Sequence, residues 1–258
     1  MRVTVTRWQA DTAQQREEQL TVEEPLEIRI ANCPLVVIMR TPGHDTELAL
    51  GFLITEGIIQ RASEVVRIEP ALDGDGLPLA NVVNVVLQQQ RERPAAAAFG
   101  RNFTVSASCG LCGRNNIADL MLSVPPLAPD YIRVKPSTIY RLVAHLQAAQ
   151  TVFSHTGGLH AAALFTIHGE LLLLREDVGR HNAVDKLIGH GLLHNAYPYD
   201  EHILLVSGRT SFEIIQKALL ARIPCVAAIS APSSLAVELA QECGITLVGF
   251  LRGHAMNV

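Results

Sequence analysis

The sequence predicts a mixed α/β protein in two parts: a smaller β-rich domain over residues 1–128 and a three-layer α/β/α domain over residues 129–258. Three observations carry that reading. Apolar and polar residues alternate with period two in the first half. Strand-like and helix-like segments alternate through the second. At 258 residues, 48% hydrophobic and 18% charged, the chain suffices to bury one large core or two modest ones.

In the first half, Thr4–Trp8, Leu20–Ile30 and Asn81–Leu87 show the alternation of half-buried strands. A helix over Asp45–Glu56 interrupts them, with Asp45 as its cap, Leu48, Phe52 and Leu53 as an inward stripe, and Gly57 as its stop. Leu72–Pro78 reads as a turn. A Pro and Ala stretch, Arg93–Phe99, leads into Thr104–Gly113, and Pro125, Pro126 and Pro129 mark the domain boundary.

Ser137–Phe153 then reads as a capped amphipathic helix, with Ile139, Leu142, Val143, Leu146 and Ala149 at helical spacing. Ala161–Ile167 and Glu170–Leu174 are strands around a His168-Gly169 turn, followed by a helix over His181–Ile188. His202–Val206, Phe212–Leu220, Cys225–Ile229, Ser234–Glu242 and Thr246–Phe250 continue as strand, helix, strand, helix, strand. Such alternation implies one sheet with helices on its faces.

A formal charge of -4 and a pI near 6.2 argue against a protein whose main partner is nucleic acid, which calls for a basic excess. Met1–Arg16 carries no apolar core of a signal peptide, and no apolar stretch approaches the roughly 20 residues that span a bilayer. Five cysteines at irregular spacing do not form a secreted disulfide framework. The expectation is a cytoplasmic protein, kept off membranes and in a reducing compartment.

The chemistry-bearing segment is Cys109-Gly-Leu-Cys112-Gly113. Two thiols two residues apart can bind a metal, close a redox disulfide or carry sulfur on a thiolate, and spacing alone does not choose among these. Gly110 and Gly113 lower the steric cost of unusual backbone angles, while Arg114 and a helix start at Asn115 or Asn116 would favour the thiolate. A four-ligand structural zinc site lacks a second such pair, since Cys33, Cys225 and Cys243 are isolated. Cys225 and Cys243 read as core residues.

A second constellation lies in three loops that follow strands: Arg175–Asn182, Ser207–Ser211 and Ser230–Ser234. Each leads into a helix. In open α/β sheets such turns gather at one edge, where helix N-termini offer backbone N–H groups to anions. Arg180 and Arg209, with the hydroxyls of Ser207, Thr210 and Ser233, suit a phosphate-bearing ligand. The same Ser and Thr also suit plain helix caps, and Glu176 and Asp177 beside Arg175 and Arg180 suit a structural ion-pair cluster.

These residues resemble the formate dehydrogenase accessory sulfur carriers, the FdhD family. The likeness runs through Arg40–Gly43, Leu50–Gly57, Cys109–Gly113, His155–Gly158, Arg175–Lys186, Ser207–Arg209 and Gly249–Gly253. The resemblance implies a sulfurtransferase that takes sulfur from a cysteine desulfurase as a cysteine persulfide. It then passes the sulfur to bis-molybdopterin guanine dinucleotide (Mo-bisMGD) before that cofactor enters the formate dehydrogenase apoenzyme. On this likeness Cys109 and Cys112 hold the persulfide, with Cys109 as principal carrier.

The likeness further implies that Phe250, Leu251, Arg252, Gly253, His254 and Ala255 contact the guanine nucleotide-bearing cofactor, together with Arg180, His181, Ser207, Gly208, Arg209 and Thr210. Relatives continue after the glycine with Asp-Arg, whereas this chain has His254 and Ala255 and so lacks a second cation there. A homodimer is a further expectation from relatives. The C-terminal domain is expected to be cytidine deaminase-like. Deaminase chemistry itself is not expected: Ala183 stands where the general acid/base Glu would follow His181, and Ser207–Ser211 has no cysteine, so no catalytic zinc is expected. Two other readings of the Cys pair stay open. One is a non-catalytic cofactor-binding chaperone with a redox or zinc-binding pair; the other is a thioredoxin-like oxidoreductase, whose pair should instead open a helix after the first strand of a βαβ unit.

Overall fold

The computed structural model describes residues 1–88, 125–128 and 132–258. Its first element is a hairpin of β1 (Arg2–Gln9) and β2 (Thr12–Gln19), paired antiparallel from Arg2 with Gln19 to Gln9 with Thr12. β2 has almost no apolar residue, so the period-two pattern gave no sign of it. The strand expected from Leu20 begins at β3 (Glu24–Ile30), which pairs antiparallel with β4 (Cys33–Arg40). With β5 (Val65–Leu72) and β6 (Pro78–Leu87) they form a four-stranded sheet in the order β4-β3-β6-β5.

Between β4 and β5 lies α1 (Asp45–Thr55). The expected cap and stripe both require correction. The N-cap is His44, in the left-handed region at φ 58, because the Asp45 carboxylate is taken by the Arg40 guanidinium at 2.9 Å through both Nε and Nη2. Every residue from Glu47 to Thr55 is buried. A helix covered on all sides needs apolar residues all round, and the sequence supplies them: Leu48, Ala49, Leu50, Phe52, Leu53 and Ile54 are all core residues.

The expected Ser137–Phe153 helix is two helices, α2 (Pro136–Ala149) and α3 (Thr151–Thr156), broken at the buried Gln150. α2 opens with Pro136, whose missing N–H costs nothing at a first helical position. Then come β7 (His160–Thr166), β8 (Leu171–Asp177), α4 (Arg180–Leu193), β9 (His202–Val206), α5 (Phe212–Leu220), β10 (Cys225–Ala228), α6 (Ser234–Cys243), β11 (Thr246–Arg252) and a short β12 (Ala255–Asn257) that the alternation did not reveal.

The six strands order as β12-β11-β10-β9-β7-β8. β9, β10 and β11 are parallel, with α5 and α6 as the crossovers, and β7 runs antiparallel to both β8 and β9. Alternate residues of each strand face opposite layers. Ala161, Ala163, Phe165, Leu205, Ala227 and Val248 pack with Ile139, Leu142 and Leu146 of α2. Ala162, Leu164, Leu204, Val206, Val226 and Ala228 join α1, α4, α5 and α6 in a core that continues to Leu26, Ile28, Val36 and Val85 of the four-stranded sheet. The buried Cys225 and Cys243 are part of these cores, as expected.

The contact between α1 and α4 is closer than side chains permit. A methyl group on Gly51 would lie 1.8 Å from the Asp185 carbonyl oxygen, and one on Gly189 would lie 1.8 Å from that of Glu47. The two glycines sit where the backbones touch. Among the described residues no helix is long and apolar enough to cross a membrane.

Candidate functional site

The parallel strands β9, β10 and β11 end at one edge of the sheet, where β7 begins and β8 ends with His160 opposite Asp177. The three loops singled out from the sequence meet there. The Thr210 N–H donates to the Ala231 carbonyl (3.2 Å), the Ser233 N–H to the Thr210 carbonyl (3.0 Å), and the Phe250 N–H to the Ser230 carbonyl (3.1 Å). Ser207 is stitched to β7: its N–H donates to the Ala161 carbonyl (3.0 Å) and its Oγ accepts from the Ala161 N–H (2.9 Å).

Gly208 lets the loop after β9 pack close to His160 and Arg180. A methyl there would stand 3.2 Å from His160 Nδ1 and 3.6 Å from Arg180 Cδ. Arg180 and His181 open α4, directly after the Gly179 N-cap. His181 Nε2 lies 3.2 Å from Ser211 Oγ and 3.7 Å from the Glu213 carboxylate. Burial, reinforced by the charge of Arg180, pushes His181 down to about 4 and lowers His160 in the same way. Both imidazoles are therefore neutral near pH 7 and leave Arg180 as the adjacent cation.

Two buried polar atoms at this edge, Arg180 Nε and Thr210 Oγ1, have no hydrogen-bond partner among the described residues. Buried polar groups are nearly always satisfied, so such atoms mark places where a ligand can supply the missing partner. A guanidinium N–H, a hydroxyl and a helix N-terminus are together an anion-binding donor set. Arg209 is exposed beside them.

The C-terminal run lies at the same edge, at the end of β11. Phe250, 43% exposed, adopts φ 53, a strained angle for a residue with a side chain, and Gly253 follows at φ 54. Arg252, Gly253, His254 and Ala255 are exposed, whereas Leu251 is wholly buried in the core under α2 and can offer a ligand only its backbone. The His254 ring meets Tyr140 of α2 edge-on, 5.6 Å between centroids. His181 shares no group of three metal-ligating side chains among the described residues.

The family model described as FdhD/NarQ matches residues 21–258. The chain belongs to the FdhD/NarQ family. It is similar to the sulfur carrier protein FdhD of Streptomyces avermitilis, 49% identical over 251 residues that cover 94% of this chain and 87% of the other. The protein of the same name from Mycolicibacterium paratuberculosis is 49% identical over 258 residues, covering 98% and 94%. That from Sulfurisphaera tokodaii is 44% identical over 260 residues, covering 100% and 95%. A crystal structure from Desulfotalea psychrophila, provisionally described as a formate dehydrogenase accessory protein, superposes with a TM-score of 0.75 at 25% identity, over 100% of this chain and 95% of that one.

Within this FdhD/NarQ chain, two of the quoted motifs prove to be one polar network. Asp177, fully buried, pairs with the buried Lys186 at 2.7 Å and accepts from the Thr41 N–H (3.1 Å), the Gly179 N–H (2.8 Å) and Asn182 Nδ2 (2.9 Å). Lys186 Nζ also donates to the Thr41 carbonyl (2.8 Å), and Asn182 Nδ2 to the Met39 carbonyl (2.8 Å). The Arg40–Gly43 turn is thereby fixed against the start of α4. The expected ion-pair cluster of Glu176 and Asp177 with Arg175 and Arg180 requires correction, because each partner found lies outside that cluster: Arg175 grips Glu47, Asp177 takes Lys186, and Glu176 accepts from the N–H groups of Val152 and Phe153 at the start of α3.

A second buried network escaped sequence reasoning. Lys217 of α5 donates to both Asp185 oxygens (2.9 Å each) and to Thr55 Oγ1 (2.8 Å), locking α5, α4 and α1 together. The signal was there, a lysine on an otherwise apolar helix face, but its partners are remote in sequence. Cys109 and Cys112, with Arg114, Asn115 and Asn116, lie outside the described residues. The chain beyond them is held at Leu127, whose N–H donates to the Cys243 carbonyl (2.9 Å), and at Pro125, whose carbonyl accepts from Arg222 (2.6 Å).

Proposed function

We propose that this chain is a sulfur carrier for formate dehydrogenase maturation, working as a persulfide relay through Cys109 and Cys112. The observation that carries the reading is its 44–49% identity, along almost the whole chain, to proteins named sulfur carrier protein FdhD, together with the Cys-x-x-Cys pair in its sequence. A thiolate at Cys109 attacks the terminal sulfur of a persulfide on a cysteine desulfurase. The new S–S bond leaves Cys109 as the persulfide, and the desulfurase thiolate departs. Attack by Cys112 on the inner sulfur then releases hydrosulfide and leaves a Cys109–Cys112 disulfide, which a thiol reductant reopens.

The acceptor is Mo-bisMGD, carried as cargo. Its pyrophosphate and guanine nucleotide arms fit the sheet edge, where Arg180, Arg209, Thr210 and the N-terminus of α4 present donors and the Phe250–Ala255 hairpin forms a rim. The unpartnered Arg180 Nε and Thr210 Oγ1 support this placement. A cytidine deaminase-like sheet would serve here as a nucleotide-shaped cradle with its hydrolytic residues replaced.

Intact-protein mass spectrometry after incubation with a cysteine desulfurase and cysteine tests the relay. A gain of one sulfur, removed by reductant, lost in Cys109→Ala and retained in Cys112→Ala, where no second thiol resolves the persulfide, is the expected result. No gain, with formate dehydrogenase still matured by the double variant, would leave a chaperone that only binds the cofactor.

A further inference from the structure

Ten residues along α4 from Arg180, about 15 Å at 1.5 Å per residue, the helix ends in a cluster that the sulfur relay does not use. His190 and His194 are one turn apart on the same face, their ring centroids 4.2 Å apart. Glu47 of α1 reaches them, with Oε1 2.9 Å from His190 Nδ1. One ligating atom from each of the three residues lies within 4.8 Å of the others.

The carboxylate is delivered by the helix contact itself. Gly189 brings the Glu47 backbone onto α4, since a methyl there would meet the Glu47 carbonyl at 1.8 Å. Arg175 then fixes the carboxylate edge-on, its Nε 2.5 Å from Oε2 and its Nη2 2.7 Å from Oε1. A carboxylate oxygen has two lone pairs; the second of Oε1 faces His190 Nδ1, which Arg175 Nη2 also approaches to 3.0 Å, so a bound ion takes the place of that contact. His44 Nδ1 stands 3.3 Å from Oε2 on the outer side. Glu47 is buried, His190 half-buried and His194 exposed, which leaves the cluster open to solvent at one end.

We propose that Glu47, His190 and His194 form a binding site for one first-row transition-metal ion. Two imidazoles and a carboxylate are donors that zinc, nickel and copper accept, whereas magnesium and calcium require a set of oxygens. The Arg175 guanidinium reinforces that choice. It cancels the charge of Glu47, so the site holds an ion by nitrogen coordination rather than by net negative charge. The competing arrangement is a structural Arg175–Glu47 pair with His190 as a third partner, and that arrangement needs nothing from His194.

Zinc titrated into the Cys109→Ala/Cys112→Ala protein decides between them, because the thiol pair is itself a zinc ligand. The site requires uptake of one zinc per chain, at least about tenfold weaker in a further His194→Ala variant, with the melting temperature of that metal-free variant unchanged. Cobalt in place of zinc should give ligand-field bands without thiolate charge transfer. Absence of stoichiometric uptake, uptake indifferent to His194→Ala, or a thiolate band from Cys33 would each overturn the site.

Discussion

Gly51→Ala sets two physical effects against each other. In an exposed helix the change stabilises by about 1 kcal/mol, because alanine loses less conformational freedom than glycine. Here the new methyl group meets the Asp185 carbonyl oxygen at 1.8 Å, its carbon at 2.5 Å and its Cα at 2.8 Å. These are backbone atoms and cannot rotate away. Ordinary contact begins near 3.4 Å, so α1 and α4 must separate by 3.4 − 1.8 = 1.6 Å at that point.

Overpacking of a core costs up to about 3 kcal/mol and sometimes more, and α1 is buried on all sides, so there is no free direction of escape. Subtracting the propensity gain leaves a net loss of about 2 kcal/mol, or roughly 4–8 °C in melting temperature for a chain of this size. Urea and thermal denaturation followed by circular dichroism measure it. Gly74→Ala is the control, since a methyl there meets nothing within 4 Å and the change should be neutral. Gly189→Ala opposes the same pair of helices, so Gly51→Ala/Gly189→Ala should cost less than the sum of the single changes. A Gly51→Ala protein as stable as the parent would refute the close-contact argument.

Other perturbations probe the remaining networks and the edge. Asp177→Asn strands the Lys186 ammonium in the core and should cost about 3–5 kcal/mol by urea titration, with Lys186→Met in the same chain recovering part of it. His181, held neutral by burial down to about 4 against an ordinary 6.5, takes up its proton more readily when unfolded. Its contribution is therefore complete above about pH 6.5 and fades as pH falls toward 4; His181→Asn should flatten the stability profile in that window. Arg180→Ala and Arg209→Ala should each weaken binding of guanosine diphosphate, used as a probe, by about tenfold or more. Arg209→Ala should leave the melting temperature unmoved, and GDP binding indifferent to both changes would remove the anion site from this edge.

The sequence by itself determined the strand and helix order from β7 to β11, because each of those segments is a short apolar run bounded by turn residues, and local pattern suffices for that. It also determined the chemistry on offer: two thiols two residues apart, three loops rich in donors after strands, and the motifs that marked the family. Charge-rich β2 and short β12 left no apolar alternation to read, and α2 and α3 merged because the buried Gln150 does not break the pattern. Tertiary structure alone decided that Asp177, Lys186 and Thr41 form one network, that Lys217 finds Asp185 and Thr55, and that α1 is enclosed rather than half-exposed. Those outcomes depend on pairs far apart in the chain and on two glycines letting helix backbones touch, and only the packed arrangement specifies which remote partners meet.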